Sequence, residues 1–131
     1  MKRLLFDTSY LIGLERDGVA AADGVLDEDD IAIPAVVAAE LEVGVHLATD
    51  RRRPVRRAWV DALLGEFEVV PYDLAVALEH GRLMAHTTRT GRPRGRHDLI
   101  VAATAASTGR AVVTLDEGAF DDLPGVTRLD R

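Results

Sequence analysis

Short apolar runs alternate along the chain with longer stretches whose apolar positions recur at helical spacing. Leu4-Leu5-Phe6 sits in the first run, and residues 3–7 read as a strand. Ser9 to Glu15 follows as a short helix capped by Thr8 or Ser9, and Asp17-Gly18 breaks it. Residues 19–26 carry a weaker helical pattern, and the acidic turn Asp27 to Asp30 leads into a second strand, Ile31 to Pro34. A strong helical pattern runs from Val36 to about Thr49. Arg51 to Arg57 is basic, with Pro54 inside it, and a helix passes through Trp59 to Leu64. Phe67 to Pro71 alternates as a third strand, and Asp73 caps a long helix reaching toward Thr88. Gly91 to Gly95 is a turn around Pro93, His97 to Thr108 is a helix stopped by Gly109, and Ala111 to Thr114 is the fourth strand. A turn of helix around Gly118 to Asp121 precedes an edge strand, Val126 to Leu129.

Strands that are short and apolar, each followed by a helix, predict an α/β fold. The expected architecture is a three-layer α/β/α sandwich with a central, mainly parallel sheet of 4–5 strands, formed by residues 1–131 as a single domain. Such sheets bind ligands at the carboxyl ends of their strands, where the strand order reverses. Asp7 occupies one strand end, and the residues after Val112-Val113-Thr114 occupy another.

Composition narrows the chemistry. Hydrophobic residues make up 47% and charged residues 29%, which is an ordinary globular balance. No apolar run approaches the ~20 residues of a membrane span, and the first residues do not read as a signal peptide, so the expected compartment is the cytoplasm. Zero cysteines exclude disulfides and thiolate metal sites, leaving carboxylates and histidines as ligands. The net charge of −6 disfavours an anionic partner only if the acids are spread evenly.

They are not spread evenly. An aspartate ending a buried strand, as Asp7 does, is costly to desolvate unless donors or a cation meet it. On a helical wheel Glu40 shares a face with Val36, Val43, Gly44 and Leu47, where a glutamate needs a partner arginine, a proton or a metal. Asp98 opens an almost wholly apolar helix, a position that the helix dipole alone would favour. Asp116 follows the fourth strand by two residues, where an ordinary turn residue is equally at home. Taken singly, each has a structural explanation. Together they share one geometry, because all four are expected at the same edge of the sheet. Such carboxylates form an all-oxygen site suited to Mg²⁺ or Mn²⁺, able to activate water for phosphodiester displacement. Thr8, Ser9 and Thr114 lie beside these acids and are placed to hydrogen-bond a ligand carboxylate or a metal-bound water.

At this point the chain resembles a PIN domain of the VapC-type toxin ribonucleases over essentially its whole length. Leu5-Phe6-Asp7-Thr8-Ser9-Tyr10-Leu11-Ile12 is similar to the family's first acidic motif, and Val36-Val37-Ala38-Ala39-Glu40-Leu41 to its second. His97-Asp98-Leu99-Ile100-Val101-Ala102-Ala103 resembles the third, and Val113-Thr114-Leu115-Asp116 with Phe120 the fourth. The resemblance implies a Mg²⁺- or Mn²⁺-dependent endoribonuclease in which Asp7, Glu40, Asp98 and Asp116 hold the metal, with adjacent Glu117 competing for the fourth place. It also implies a homodimer, a cognate VapB-type antitoxin, and a structured RNA substrate such as tRNA or rRNA.

Arg89, Arg92, Arg94 and Arg96 precede Asp98, and Arg92, Arg94 and Arg96 are candidates to hold the phosphates flanking the scissile bond. Arg51, Arg52, Arg53, Arg56 and Arg57 read as an exposed helix start. An aromatic content of 5% argues against base stacking as the main mode of binding. The competing readings are a catalytically silent PIN-like module that binds RNA or protein, and a phosphotransfer domain. Convergent acids speak against the first. The second lacks its second aspartate after Asp7, and the only lysine is Lys2.

Overall fold

Leu4, Leu5 and Phe6 are all buried, as expected of a strand covered on both faces, and they form the middle of the sheet. The computed structural model describes residues 1–18 and 24–130. Its strands are β1 (Arg3–Phe6), β2 (Asp30–Pro34), β3 (Glu68–Val70), β4 (Ala111–Val113) and β5 (Thr127–Arg128). Every pairing is parallel, in the order β3-β2-β1-β4-β5. The chain builds outward from β1 to one side, then returns to add β4 on the other. The reversal point therefore lies between the carboxyl ends of β1 and β4, where Phe6 pairs with Val113.

The helices are α1 (Thr8–Asp17), α2 (Ala35–Leu47), α3 (Arg53–Glu66), α4 (Leu74–Thr90) and α5 (Arg96–Thr108). They cover both faces of the sheet, with α2 packed on α3, α4 on α5, and α2 meeting α5. Their ends follow local chemistry. Asp73 caps α4 by accepting the Val76 N–H at 2.9 Å, and Gly109 closes α5 in the left-handed region at φ 65°. Between β4 and β5 lies one 3₁₀ turn, Glu117–Ala119.

Three expectations change. The helix expected through Trp59 to Leu64 begins earlier, at Arg53, so the basic stretch forms its start, as the arginines themselves suggest. Of the weak helix over residues 19–26, residues 19–23 lie outside the described residues, and Gly24 to Leu26 is not helical. The third correction concerns α2. Its buried residues are Val37, Leu41 and Val45, while Val43 is 54% and Leu47 80% exposed. The helix is apolar nearly all round, so a wheel cannot choose a face. Packing against the sheet and α3 chose the other one.

Candidate active site

Asp7 leaves β1 and at once becomes the N-cap of α1. Neither Thr8 nor Ser9 caps it, contrary to the expectation from sequence. The Asp7 carboxylate is 6% exposed and accepts three hydrogen bonds. Ser9 Oγ donates to Oδ1 at 2.8 Å, the Tyr10 N–H donates to Oδ1 at 2.9 Å, and Thr114 Oγ1 donates to Oδ2.

The directions of these bonds are fixed by valence. Ser9 Oγ also accepts the Leu115 N–H at 3.0 Å, and Thr114 Oγ1 accepts the Asp116 N–H at 2.9 Å. An ionised carboxylate can only accept, so the short contacts from Ser9 and Thr114 to Asp7 are donated by the hydroxyls, which also lie 3.2 Å from each other. The two hydroxyls thus clamp the loop after β4 onto the end of β1. Burial still outweighs the donors and pushes the Asp7 pKa up, with the negative charge of Asp116 adding to the rise.

The other acids approach from separate elements. Glu40, on α2, accepts from Thr8 Oγ1 at 2.8 Å and faces His97 Nδ1 at 3.3 Å. Asp98, in the first turn of α5, has its pKa raised first by burial and then by the charges of Asp116, Asp7 and Glu40. All four acids therefore share one electrostatic neighbourhood. Gly95 leaves room for the Asp98 carboxylate, since a Cβ on it would stand 2.9 Å from Asp98 Oδ2 and push that side chain aside. Glu117 is turned away and paired with Arg128 at 3.2 Å, whereas Asp116 acts on both Asp7 and Asp98.

A buried acid at a strand switch, ringed by three more, is the arrangement that the comparisons with known proteins bear on. The family model described as PIN domain matches residues 4–126. The chain belongs to the PIN domain family. Its relatives lie in the VapC branch. It is 35% identical over 127 residues to Ribonuclease VapC5 of Mycobacterium tuberculosis, covering 96% of this chain and 91% of that protein. It is 31% identical over 103 residues to the tRNA(fMet)-specific endonuclease VapC of Salmonella typhimurium, covering 77% and 75%. Among solved structures, VapBC-5 from Mycobacterium tuberculosis, a member of the VapBC family of toxin-antitoxin systems, matches with a TM-score of 0.75 at 31% identity, covering 98% of this chain and 100% of that one.

In this PIN domain the donor set of carboxylate oxygens, in a chain without cysteine, fits a hard divalent cation. Repulsion around Asp98 is the charge such an ion would offset. As the side chains stand, however, no three acidic or histidine groups among the described residues close into a ligand set. Asp7 is held by Ser9, Tyr10 and Thr114, and Glu40 by Thr8 and His97.

The arginines of the PIN domain separate into two groups. Arg96 is exposed, has no partner among the described residues, and lines an open pocket with Glu40, Gly95, His97 and Asp98. Arg92 is instead paired with Asp122 at 3.3 Å, and Arg94 donates to the Asp121 carbonyl at 2.6 Å. In α3, Arg53, Arg56 and Arg57 are engaged by Asp50, Glu15 and Glu42. His97 neighbours Asp98 in sequence, where a helix-start histidine is expected to pack or cap rather than catalyse, and the structure sets it against Glu40. Gly95 reads from sequence only as the end of the turn around Pro93.

Proposed function

We propose that this chain is a metal-dependent endoribonuclease acting as the toxin of a type II toxin–antitoxin pair, with residues 1–131 forming one PIN domain in the cytoplasm. The observation that carries the reading is the buried Asp7 at the reversal point of the sheet, with Asp98 held under the charges of Asp7, Glu40 and Asp116. Asp7, Glu40, Asp98 and Asp116 would hold Mg²⁺ or Mn²⁺. Once bound, the ion supplies activation of water and neutralisation of charge on the phosphodiester. The chain's own residues supply the rest. Ser9 and Thr114 orient Asp7, Thr8 orients Glu40, and Arg96 at the pocket mouth holds a flanking phosphate. Asp116, rather than Glu117, serves as the fourth acid, because Glu117 is occupied by Arg128. A relative named as a tRNA(fMet)-specific endonuclease supports a structured RNA, tRNA or rRNA, as the substrate. The similarity to a VapBC-5 toxin–antitoxin protein supports a VapB-type antitoxin as partner, and we propose a homodimer as the working form. No helix among the described residues is long and apolar enough to cross a membrane.

The test is cleavage of total RNA, tRNA and rRNA with Mg²⁺ or Mn²⁺, beside EDTA and an Asp7→Asn control. Cleavage only by the wild type with metal supports the reading. Cleavage that persists in EDTA, or with Asp7→Asn, refutes the metal–carboxylate mechanism. RNA binding without any cleavage would favour the silent module instead.

A further inference from the structure

Asp98, in the first turn of α5 just behind the loop at residues 91–95, and Asp116, at the start of the loop after β4, come from different elements, and their charges repel. Of the three neighbouring acids, Asp116 raises the Asp98 pKa most. The first loop, residues 91–95, runs into α5. The second begins at Asp116, passes through the 3₁₀ turn, and ends in the turn at residues 120–124. One end of this second loop is clamped to Asp7 through Ser9 and Thr114. The other end is anchored in the core by Phe120 and Leu123, and side chains from outside the loop hold its polar groups, among them Arg128 against Asp121 at 3.5 Å. Arg94 donates to the Asp121 carbonyl at 2.6 Å, His86 Nε2 lies 3.2 Å from the Asp122 carbonyl, and Arg82 donates to the Pro124 carbonyl at 2.7 Å. Arg92 pairs with the Asp122 carboxylate at 3.3 Å. Asp122 itself sits at φ 60°, in the left-handed region, which aspartate is one of the few residues other than glycine to adopt readily in turns.

Of Arg82, His86, Arg92 and Arg94, only the last two join the loop before α5 to the loop that starts at Asp116, since Arg82 and His86 reach out from α4. Arg94 is the better anchored. Its second nitrogen is held by the Arg92 carbonyl at 3.1 Å, and its Nε is buried. A guanidinium committed to two backbone carbonyls is not free to receive a phosphate. We infer that Arg94 is a positioning residue, a strut from the loop that leads into the Asp98 turn of α5 to the loop that starts at Asp116, which fixes the spacing of these two carboxylates. This separates Arg94 from the phosphate-binding role expected of it from sequence, and it rests on the metal-site reading proposed above.

The experiment uses the full chain without RNA, as wild type, Arg94→Gln and Arg94→Lys. Mn²⁺ binding is measured by titration, and amide hydrogen exchange is followed across residues 115–123. A lost support of this kind weakens metal binding by roughly tenfold or more. Arg94→Gln should show that loss and faster exchange through 115–123, with Arg94→Lys recovering part of both by restoring one donor to the Asp121 carbonyl. In RNA binding, Arg94→Gln should leave the salt slope unchanged, whereas loss of a phosphate contact would reduce it by about one. Unchanged Mn²⁺ affinity and unchanged exchange in Arg94→Gln would overturn the strut, as would a reduced salt slope with normal Mn²⁺ binding. If the wild type itself binds no Mn²⁺, the metal-site reading fails, and the exchange pattern still decides whether Arg94 braces the loop.

Discussion

Replacing Thr114 by valine removes one hydroxyl and changes the side-chain volume little. In the native protein that hydroxyl donates to the buried Asp7 carboxylate and accepts the Asp116 N–H. A hydrogen bond to a charged group contributes about 1.5–3 kcal/mol net. Asp116 is exposed, so water can take over its N–H and little is added there. The expected loss is therefore about 2–3 kcal/mol, a large part of the roughly 5–15 kcal/mol that holds a domain folded. The loss also has a pH signature. With Thr114 gone, one of the bonds lowering the Asp7 pKa is gone, so the already raised pKa rises further. Protonated Asp7 does not need an ion-assisted bond, so the destabilisation should be larger at neutral pH, with Asp7 ionised, than at an acid pH low enough to protonate it. Urea denaturation followed by circular dichroism at both pH values measures it. Repeating the pair in an Asp7→Asn background isolates the coupling between the two residues. A loss below about 0.5 kcal/mol at both pH values would refute the clamp, since that is the scatter of an ordinary surface substitution.

Three other outcomes are expected. Asp98→Asn should abolish RNA cleavage and yet raise the melting temperature of the metal-free protein. A carboxyl whose pKa is raised by folding loses stability as pH climbs through its titration, and the amide has no such loss. A lowered melting temperature would mark Asp98 as structural instead. Asp29 acts in the opposite sense. Its carboxylate accepts the Leu26 and Lys2 N–H groups at 2.8 Å each and pairs with Lys2 Nζ at 3.1 Å. These donors, the Leu26 N–H first, bring its pKa from 3.8 down to about 2. Its stabilisation is present above pH 3.8 and is lost as pH falls toward 2, so Asp29→Asn should flatten acid unfolding in that window. Finally, Arg96→Ala should lower RNA affinity and reduce the salt slope by about one, while Mn²⁺ binding by the free protein stays intact.

The alternation of apolar strands with helices was legible because a doubly covered strand has no polar positions to confuse it, as β1 shows. The residues Asp7, Asp98 and Asp116 were legible because strand ends and helix starts are local signals. Glu40 shows a different case. It was noticed through an apolar face of α2 that proves to be largely exposed, yet its carboxylate does reach Thr8 at the start of α1. A helix that is apolar all round leaves its orientation to tertiary packing. The roles of Arg92 and Arg94 were not legible at all. Their acceptors include the backbone carbonyls of residues 92 and 121, and every residue in a chain offers one of those. The hydroxyl clamp depends likewise on which N–H groups the fold leaves unpaired beside Ser9 and Thr114.

Because Asp7 caps α1, substitutions there carry two meanings, and the choice of inactive variant matters for any later study. Alanine would remove the cap as well as the charge, and loss of a cap alone costs about 1 kcal/mol. A fall in activity would then mix unfolding with chemistry. Asparagine keeps an oxygen for the Tyr10 N–H and the Ser9 hydroxyl, which share Oδ1, and its amide group would face Thr114. The Thr114 hydroxyl, which already accepts the Asp116 N–H, would then turn its proton to Ser9 Oγ, 3.2 Å away. Asparagine therefore removes the charge while keeping the cap, and it is the variant that separates folding from the chemistry proposed for this position.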